Sequence, residues 1–368
     1  MFSARIALDA MGGDFYSLPN LQGSYWAIKK AQAQGRAIQI FLVGPEDRVI
    51  GRLKEAVNDP TVPYDFRINE AEFRRFVEQG FLVPVHSTQV VEMDDSPALA
   101  VRTKKDSSLA RAYQLVKTGQ ADAVISAGNS GAVMAYGIAL LGRLPEVRRP
   151  AILCTMPSKG GFCSILDAGA NVDCTSEHLV QFATMGMIYT QVVFKKSQPR
   201  VALLNIGEEE GKGNELTKET HERLKASFAP YYVGFAEGRD VFNGKVDVVV
   251  CDGFVGNVLL KTAEGVAKMV KDTLKEELSQ SFWRKIGALM AKGGFEALKS
   301  RMDYREYGAA PLIGLNGLGL VAHGSSDGKA ITSSILMATR YAEGGLMNKL
   351  KEAFGSETSS AVKEEVNS

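Results

Sequence analysis

The stretch RVALLNIGEEEGKGNELT, Arg200 to Thr217, contains the pattern that decides the fold. It begins with an apolar run that ends at Gly207, as expected of a strand that is buried on both faces. Three glutamates follow, and Lys212 then stands between two glycines ahead of a helix-like stretch. A buried strand, a glycine turn and a helix in that order form the repeating unit of α/β proteins.

The same order recurs along the chain. The segments that share it are RIALDAMGG, IQIFLVG, DAVISAG, CSILDAG, RVALLNIG, VDVVVCDG and LGLVAHG. Amphipathic stretches such as SLARAYQLVKTG supply the helices that cover the strands. The sequence therefore predicts an α/β fold with a doubly wound, mostly parallel sheet in a Rossmann-like, three-layer arrangement.

The glycine turns point to the place where a ligand would bind. In a doubly wound sheet, ligands sit beyond the carboxyl ends of the strands, where glycine allows the backbone to approach closely. A glycine that merely ends a strand explains any one of these turns. Because the turns also carry Asp, Asn, Ser and Lys side chains, we expect them to form one shared polar site.

Composition limits the class of protein. The 368 residues are 45% hydrophobic and 23% charged, which is typical of a globular domain. The 43 basic and 42 acidic residues nearly cancel, so no nucleic-acid partner is expected. No export signal opens the sequence, and its apolar runs are shorter than the roughly 18 to 20 residues of a spanning helix. The four cysteines lack a CxxC pair, which favours reduced thiols and a cytoplasmic protein.

One region interrupts the strand and turn pattern. Residues 262–305 have helical spacing and no strand, so we predict two long helices that meet near Ser279–Phe282 and protrude as a pair. The remaining sequence predicts a single α/β domain over residues 1–350. Residues 351–368 form a polar tail that we expect to be disordered.

The second predicted helix is amphipathic and basic. Its apolar face contains Phe282, Trp283, Ile286, Leu289 and Met290, and its basic residues, with those that follow it, are Arg284, Lys285, Lys292, Lys299 and Arg301. Glu296 is the one acidic residue from 281 to 301. Such a helix is suited to contact an acidic carrier protein or a membrane surface. Packing of the apolar face in a dimer or on the core is the alternative.

Several motifs can be excluded. Gly207, Gly211 and Lys212 do not have the spacing of a P-loop, and no GxGxxG opens a strand-to-helix turn. The histidines do not have metal-ligand spacing, so no metal or other cofactor is expected. Residues 324–328 fit GxSxG, but no histidine follows Ser326, as the α/β-hydrolase order requires.

The remaining loops are suited to bind an oxyanion. Backbone N–H groups and hydroxyls at the start of a helix can form an anion site. The residues that we assign to this site are Gly12, Gly13, Asp14, Ser126, Asn129, Ser130, Gly131, Asn214, Asp252, His323 and Ser325. Lys212 supplies a cation and Asn257 an amide. The alternative for Lys212 is a solvated loop lysine that is paired with one of the glutamates at 208–210.

These motifs resemble a known family. LDAMGGD, VISAGNSGAVMA, LDAGANVDCTSEHLVQFATMG, RVALLNIGEEEGKGNELT, VVVCDGFVGNVLLKT and AHGSSD occur in the order found in the PlsX family of bacterial phosphate acyltransferases. The resemblance runs from Ile6 to about Ala342. It implies a fold like that of phosphate acetyltransferase and of the isocitrate and isopropylmalate dehydrogenases. It also places the important lysine and asparagine of the family on Lys212 and Asn257.

The resemblance further implies an activity and its partners. The family reversibly transfers a long-chain acyl group from acyl carrier protein to inorganic phosphate. The acyl phosphate formed serves a membrane glycerol-3-phosphate acyltransferase. Members are cytoplasmic homodimers that associate peripherally with the inner face of the cell membrane.

Three other functions remain as alternatives. One is a phosphate acyltransferase that uses coenzyme A esters, and another is a membrane-associated scaffold without catalysis. An NAD-dependent decarboxylating dehydrogenase on the same fold is disfavoured, because the sequence lacks a nucleotide fingerprint and a metal-binding carboxylate cluster. His178, at the start of an amphipathic stretch, is either a structural or a catalytic histidine.

Overall fold

The computed structural model describes residues 2–58, 67–295 and 308–355. The strands are β1 (Ala4–Asp9), β2 (Ile38–Gly44), β3 (Leu82–His86), β4 (Ala123–Ser126), β5 (Ala151–Ile152), β6 (Cys154–Ser158), β7 (Gly161–Leu166), β8 (Val201–Leu204), β9 (Tyr232–Ala236), β10 (Val248–Val250), β11 (Ala310–Ile313) and β12 (Leu318–Val321). The helices are α1 (Ser17–Ala33), α2 (Glu46–Val49), α3 (Leu53–Asn58), α4 (Glu70–Glu78), α5 (Pro97–Thr103), α6 (Ser108–Lys117), α7 (Ser130–Leu140), α8 (Ser176–Val193), α9 (Glu215–Ser227), α10 (Asp240–Asn243), α11 (Gly253–Ser279), α12 (Phe282–Met290), α13 (Gly328–Glu343) and α14 (Leu346–Gly355).

The chain divides into two compact units. Unit 1 takes the described residues of Met1–Ile152, Met187–Ser197 and Gly308–Ser368, and unit 2 takes those of Leu153–Gly186 and Gln198–Tyr307. Neither unit is one continuous stretch of sequence. The assignment of residues 1–350 to a single domain stays a prediction.

Each unit contains one sheet. The strand order in unit 1 is β3-β2-β1-β4-β12-β11-β5, and only β11 runs antiparallel to its neighbours. The order in unit 2 is β6-β7-β10-β8-β9, and only β6 is antiparallel to its neighbour. The predicted α/β class with mostly parallel strands is confirmed. The strands form two sheets and not the single sheet that we expected, because hydrophobic patterning predicts strands but does not predict which strands pair.

Helices cover both faces of the unit 1 sheet. Ala7, Val43 and Val124 pack with α6 and α7 in one buried cluster. Helices α1 and α13 pack together closely, since a Cβ on Gly23 would lie 2.4 Å from Ile331. Full burial of each apolar side chain stabilises a domain by about 1.5 to 3 kcal/mol.

The unit 2 sheet has the same layered construction. Ile165, Ala202 and Val249 belong to a buried cluster against which Leu259, Leu260 and Ala263 of α11 pack. Helix α8 packs close to the strands, since a Cβ on Gly186 would lie 2.5 Å from Val248. The alternate residues of each strand are therefore buried by different helices.

Helices α11 and α12 follow one another with a break at residues 280–281, where the sequence predicted one, but α12 has only nine residues and is not the long helix expected. The first of them begins at Gly253, nine residues before the predicted start at 262. Its early start is explained by Asp252, whose carboxylate accepts a hydrogen bond from the Val255 N–H and caps the helix. The part of the predicted pair from 296 to 305 lies outside the described residues.

The predicted polar tail begins too early at residue 351. Helix α14 continues to Gly355, because Leu346, Leu350 and Phe354 recur every four residues and are buried. Residues 356–368 lie outside the described part of the chain. Among the helices of the described residues, none is long and apolar enough to span a bilayer.

Candidate active site

The crevice beyond β1 and β4 is the topological switch point of unit 1. From β1 the chain winds to β2 and β3 on one side and returns to β4 on the other. The turns after these two strands touch, because a Cβ on Gly12 would lie 2.7 Å from both the Gly128 nitrogen and the Ser126 hydroxyl. Only glycine permits this approach at position 12. Gly13 follows with φ of 104°, a conformation that also favours glycine.

The buried carboxyl group of Asp9, which is not among the residues assigned to the predicted anion site, lies beneath these turns. The Ser126 hydroxyl donates to Asp9 Oδ2 at 2.7 Å and accepts a hydrogen bond from the Gly128 N–H at 3.1 Å. The Met11 N–H donates to the other Asp9 oxygen at 3.2 Å. Burial raises the pKa of Asp9 above its ordinary value, and hydrogen bonds oppose part of this shift. Ser126 is fully buried, so its hydroxyl serves the turn.

The amino end of α7 contains three of the predicted residues. Asn129 caps the helix by accepting from the Ala132 N–H at 3.0 Å, and its amide group donates to the carbonyl oxygens of Met93 and Asp95. The side chain of Asn129 is therefore engaged in the fold. Ser130 and Gly131 are exposed, and the first N–H groups of a helix have no intrahelical acceptor.

The turn after β12 joins the same group. The Asp14 N–H donates to the Gly324 carbonyl at 2.8 Å, and the Ala322 N–H donates to the Ser126 carbonyl at 2.9 Å. His323 and Ser325 are exposed and bonded to each other, with 2.8 Å between His323 Nδ1 and the Ser325 hydroxyl. The structure thus brings together all of the predicted unit 1 residues.

An acidic cleft of about 390 Å³ adjoins this group. Its lining residues are Met11, Gly13, Asp14, Tyr16, Val91, Glu92, Met93 and Asp94. Carboxylates repel an anion, so this cleft is less suited to phosphate than the N–H groups of the neighbouring turns.

In unit 2, Lys212 lies on the loop between β8 and α9. Its N–H donates to the Glu209 carbonyl at 3.0 Å, and the Asn205 amide donates to its carbonyl at 3.2 Å. The side chain is exposed. Two of the three glutamates are engaged elsewhere, since Glu210 pairs with Lys225 at 2.8 Å and Glu208 lies 3.8 Å from Lys245.

The structure therefore does not show Lys212 paired with a glutamate of residues 208–210. No ion pair to the Lys212 ammonium occurs within residues 2–58, 67–295 and 308–355. The Lys225 ammonium donates a hydrogen bond to Glu210, which lowers the pKa of that carboxyl group and favours its charged form.

Asn257 lies in the second turn of α11, beside the end of β7. The nearest atoms to a Cβ on Gly169 would be those of the Asn257 side chain, at 3.5 Å. Two glycines let α11 approach β7, since a Cβ on Gly256 would lie 1.9 Å from the Asp167 carbonyl and one on Gly253 would lie 2.7 Å from that of Asn171. Asn257 itself is exposed.

Two of the predicted residues cap helices at this edge. Asp252 caps α11, as described above. Asn214 accepts from the Thr217 N–H at 2.9 Å and caps α9. Both are thus structural in the fold: Asp252 holds the start of the helix that contains Asn257, and Asn214 holds the start of the helix that follows the Lys212 loop.

The loop after β7 is organised by Asp167, which the sequence analysis also left unassigned. Its carboxylate accepts from the backbone N–H groups of Gly169, Ala170 and Asn171. A neighbouring cleft of about 320 Å³ is lined by Val172, Asp173, Cys174, Leu216, Asp252, Phe254 and Val255. The ends of β7, β8 and β10 therefore meet at one edge of the unit 2 sheet.

His178 takes part in the start of α8. Its Nδ1 accepts from the Thr175 N–H at 3.1 Å, and the Thr175 hydroxyl accepts from the His178 N–H at 3.4 Å. This reciprocal arrangement is a helix cap, which gives the histidine a structural role.

The surface of α12 is strongly apolar. Phe282 is 71% exposed and Trp283 is 78% exposed, and Leu289 is also exposed, whereas Ile286 is half-buried. Arg284 pairs with Glu277 at 2.7 Å, so part of the predicted basic charge is compensated. Lys285 is exposed, and Lys299, Arg301 and Glu296 lie outside the described residues.

Comparison with solved structures defines the class of fold. The fold is similar to a phosphotransacetylase from Streptococcus pyogenes, with a TM-score of 0.54 and 14% identity over 92% of this chain and 94% of that one. It is also similar to the EutD phosphotransacetylase from Staphylococcus aureus, with a TM-score of 0.53 and 16% identity at the same coverages. At this identity the likeness shows the α/β fold alone.

Sequence comparison defines the family. The fatty acid synthesis protein model matches residues 4–349. The phosphate acyltransferase of Geotalea uraniireducens is 45% identical over 349 residues, which cover 95% of this chain and 93% of the relative. That of Geobacter sulfurreducens is 44% identical over 354 residues, which cover 96% and 95%. The chain belongs to the fatty acid synthesis protein family, and it is an acyltransferase.

Proposed function

We propose that this acyltransferase reversibly transfers a long-chain acyl group from acyl carrier protein to inorganic phosphate. The product is acyl phosphate, and a membrane glycerol-3-phosphate acyltransferase consumes it. The names of the relatives, phosphate acyltransferase, support inorganic phosphate as the acceptor. The acyl carrier donor rests on the motif resemblance.

The proposal rests on two polar groups that follow neighbouring strands at the carboxyl edge of the unit 2 sheet. Lys212 presents an exposed ammonium after β8, and Asn257 presents an exposed amide after β10, the neighbouring strand. The first can neutralise phosphate or a developing oxyanion. The second can donate a hydrogen bond to a carbonyl oxygen. These two groups are what acyl transfer to an anion needs.

In the proposed step, a phosphate oxygen attacks the thioester carbonyl carbon. A C–O bond forms, negative charge moves to the carbonyl oxygen, and the C–S bond then breaks to release the carrier thiolate. Phosphate is already an anion near neutral pH, so a strong general base is not essential. Positioning and preorganised donors supply the acceleration.

A long acyl chain fits the neighbours of Asn257. Phe254 lies three residues before Asn257 on α11 and shares its side of the helix, and Val258 lies four residues after Phe254 and adjoins it. Phe254 is 61% exposed, and Val258 is exposed as well. A carbonyl that binds Asn257 would therefore place its hydrocarbon chain beside apolar side chains.

The unit 1 turns keep their proposed role in phosphate binding. The N–H groups near Gly12, Gly13, Ser130 and Gly131 are the proposed donors. Ser126 acts indirectly in this proposal, because its hydroxyl holds Gly128 and binds Asp9.

The proposal includes a cytoplasmic homodimer that associates with the inner face of the cell membrane. The exposed apolar residues of α12 support contact with lipid or with a second chain. Lys285 is suited to an acidic carrier protein or to anionic lipid.

Product formation tests the function. The folded protein is incubated with a long-chain acyl carrier thioester and phosphate, and acyl phosphate is detected directly by its mass. A sample without phosphate is the blank. We expect Lys212→Ala and Asn257→Ala each to reduce turnover by about 10² to 10³. Lys218→Ala, which removes an exposed lysine of α9, is the matched control and should turn over normally.

The alternatives give different results in the same assay. A preference for free coenzyme A esters would replace the carrier donor, and the absence of product with every donor would favour a scaffold. Normal turnover in both Lys212→Ala and Asn257→Ala would remove the proposed catalytic roles.

A further inference from the structure

Asn205, the first residue after β8, joins the two ends of the loop that contains Lys212. Its Nδ2 group donates to the Gly207 carbonyl at 3.2 Å and to the Lys212 carbonyl at 3.2 Å. Its own N–H donates to the Ala236 carbonyl at 2.8 Å, at the end of the neighbouring strand β9. Asn205 thus connects the loop to the sheet: its side-chain amide binds the loop, and its backbone N–H binds β9.

The opposite side of the Asn205 amide is equally confined. Gly213 has φ of 98°, and a Cβ at this position would lie 2.4 Å from Asn205 Oδ1 and 2.2 Å from the Thr217 hydroxyl. No side chain larger than glycine fits there without movement. Asn205 is therefore held between the residue that follows Lys212 and the start of the loop.

The backbone of Lys212 is fixed at both of its polar groups. Its N–H donates to Glu209, and its carbonyl accepts from Asn205. The ammonium has no ion-pair partner in the described ranges, so the direction of the side chain depends on where the backbone places its Cα. Asn205 is the one side chain that the structure bonds to this carbonyl among the described residues.

We propose that Asn205 is a positioning residue for the acyl-transfer reaction and acts through Lys212. This inference rests on the proposed function, because it assumes that Lys212 is catalytic. Without the amide, Gly207 and Lys212 lose a shared donor and the loop can open. Misplacement of a catalytic group by about 1 Å can reduce a rate about 10²-fold.

The first experiment compares two substitutions in the full-length protein. Asn205→Ala removes the amide, and Asn205→Asp keeps its shape but presents a carboxylate to two carbonyl oxygens. We expect both to lower kcat for acyl transfer about 10- to 100-fold. Asn243→Ala is the matched control, since Asn243 at the end of α10 in unit 2 also makes two hydrogen bonds, donating to Asp240 and accepting from the Lys245 N–H. This control should keep normal turnover, and normal turnover in Asn205→Asp would overturn the proposal.

A double-mutant cycle separates positioning from general destabilisation. If Asn205 acts through Lys212, adding Asn205→Ala to Lys212→Ala changes turnover by less than about twofold, because the positioned group is already absent. If the two losses multiply in protein that melts at a normal temperature, Asn205 does not act through the lysine.

The single variants distinguish failure of this inference from failure of the proposed function. Normal turnover in Lys212→Ala removes the catalytic role of the lysine and this inference with it, but leaves the acyl-transfer function standing. Absence of acyl phosphate with the natural protein overturns the proposed function itself. Slow turnover in Lys212→Ala together with normal turnover in Asn205→Ala overturns only the role of Asn205.

Discussion

The carboxyl group of Asp9 is buried under the first turn of unit 1 and binds the Ser126 hydroxyl. Burial raises its pKa, so the folded state holds a proton over a pH range in which the unfolded state has lost it. The stability that comes from this proton is present below the unfolded pKa of about 4 and is lost as the pH rises through the folded pKa.

Asp9→Asn should remove this pH dependence. The free energy of unfolding of the natural protein, minus that of the variant, is expected to fall by about 1.4 kcal/mol per pH unit between the two pKa values. Urea unfolding at a series of pH values, starting near pH 4, measures this difference. Curves that stay parallel over the whole series would contradict the assignment of the shift to Asp9.

Single residues differ in how much of their role the sequence reveals. Lys212 and Asn257 could be selected from sequence because they stand beside glycines after predicted strands. The contacts of Glu210 with Lys225 and of Glu208 with Lys245 could not be predicted, because these lysines are not adjacent in sequence to the glutamates. Asn205 was missed for a similar reason, since an asparagine after a strand has no distinctive pattern.

At the scale of elements, α11 shows how a helix can begin in an apparent loop. DGFVGN contains two glycines, which commonly indicate a turn, and the predicted start was placed later at 262. Gly253 and Gly256 are instead required by the approach of the helix to β7, a contact between residues far apart in sequence.

Substitution of two glycines in α11 tests this explanation. Gly256→Ala should destabilise unit 2 by about 1 to 3 kcal/mol or more, because its Cβ would overlap the Asp167 carbonyl. Gly265→Ala in the same helix is the control: no atom lies within 4 Å of its Cβ position, and alanine should stabilise the helix by about 0.5 to 1 kcal/mol. Chemical unfolding measures both, and equal effects would contradict a packing role for Gly256.

At the scale of the whole molecule, hydrophobic patterning predicted the α/β class and the carboxyl edges correctly. It did not predict that the strands divide between two sheets, because pairing depends on contacts across the chain. The predicted meeting of all the glycine turns in one site stays a prediction. Within unit 1, however, the turns after β1, β4 and β12 are in contact, as the fold class implies.

The apolar surface of α12 leads to a prediction for the assembled protein. Trp283→Glu should reduce sedimentation with vesicles of anionic phospholipid, because a charge replaces a large exposed aromatic ring. Val233→Glu, which changes an exposed valine of β9, is the control and should sediment normally. Analytical ultracentrifugation without lipid reports the mass of each variant. A loss of dimer with unchanged vesicle binding would assign the tryptophan to an interface between copies.

The acidic run beside Lys212 has a consequence for how that lysine stays available. Glu208 and Glu210 are close to Lys212 in sequence and could neutralise its charge. Instead, Glu210 pairs with Lys225 at 2.8 Å, and Glu208 lies 3.8 Å from Lys245. Under the proposed function, Lys225 and Lys245 therefore help to keep Lys212 accessible to an anion, although neither lysine is itself a proposed site residue.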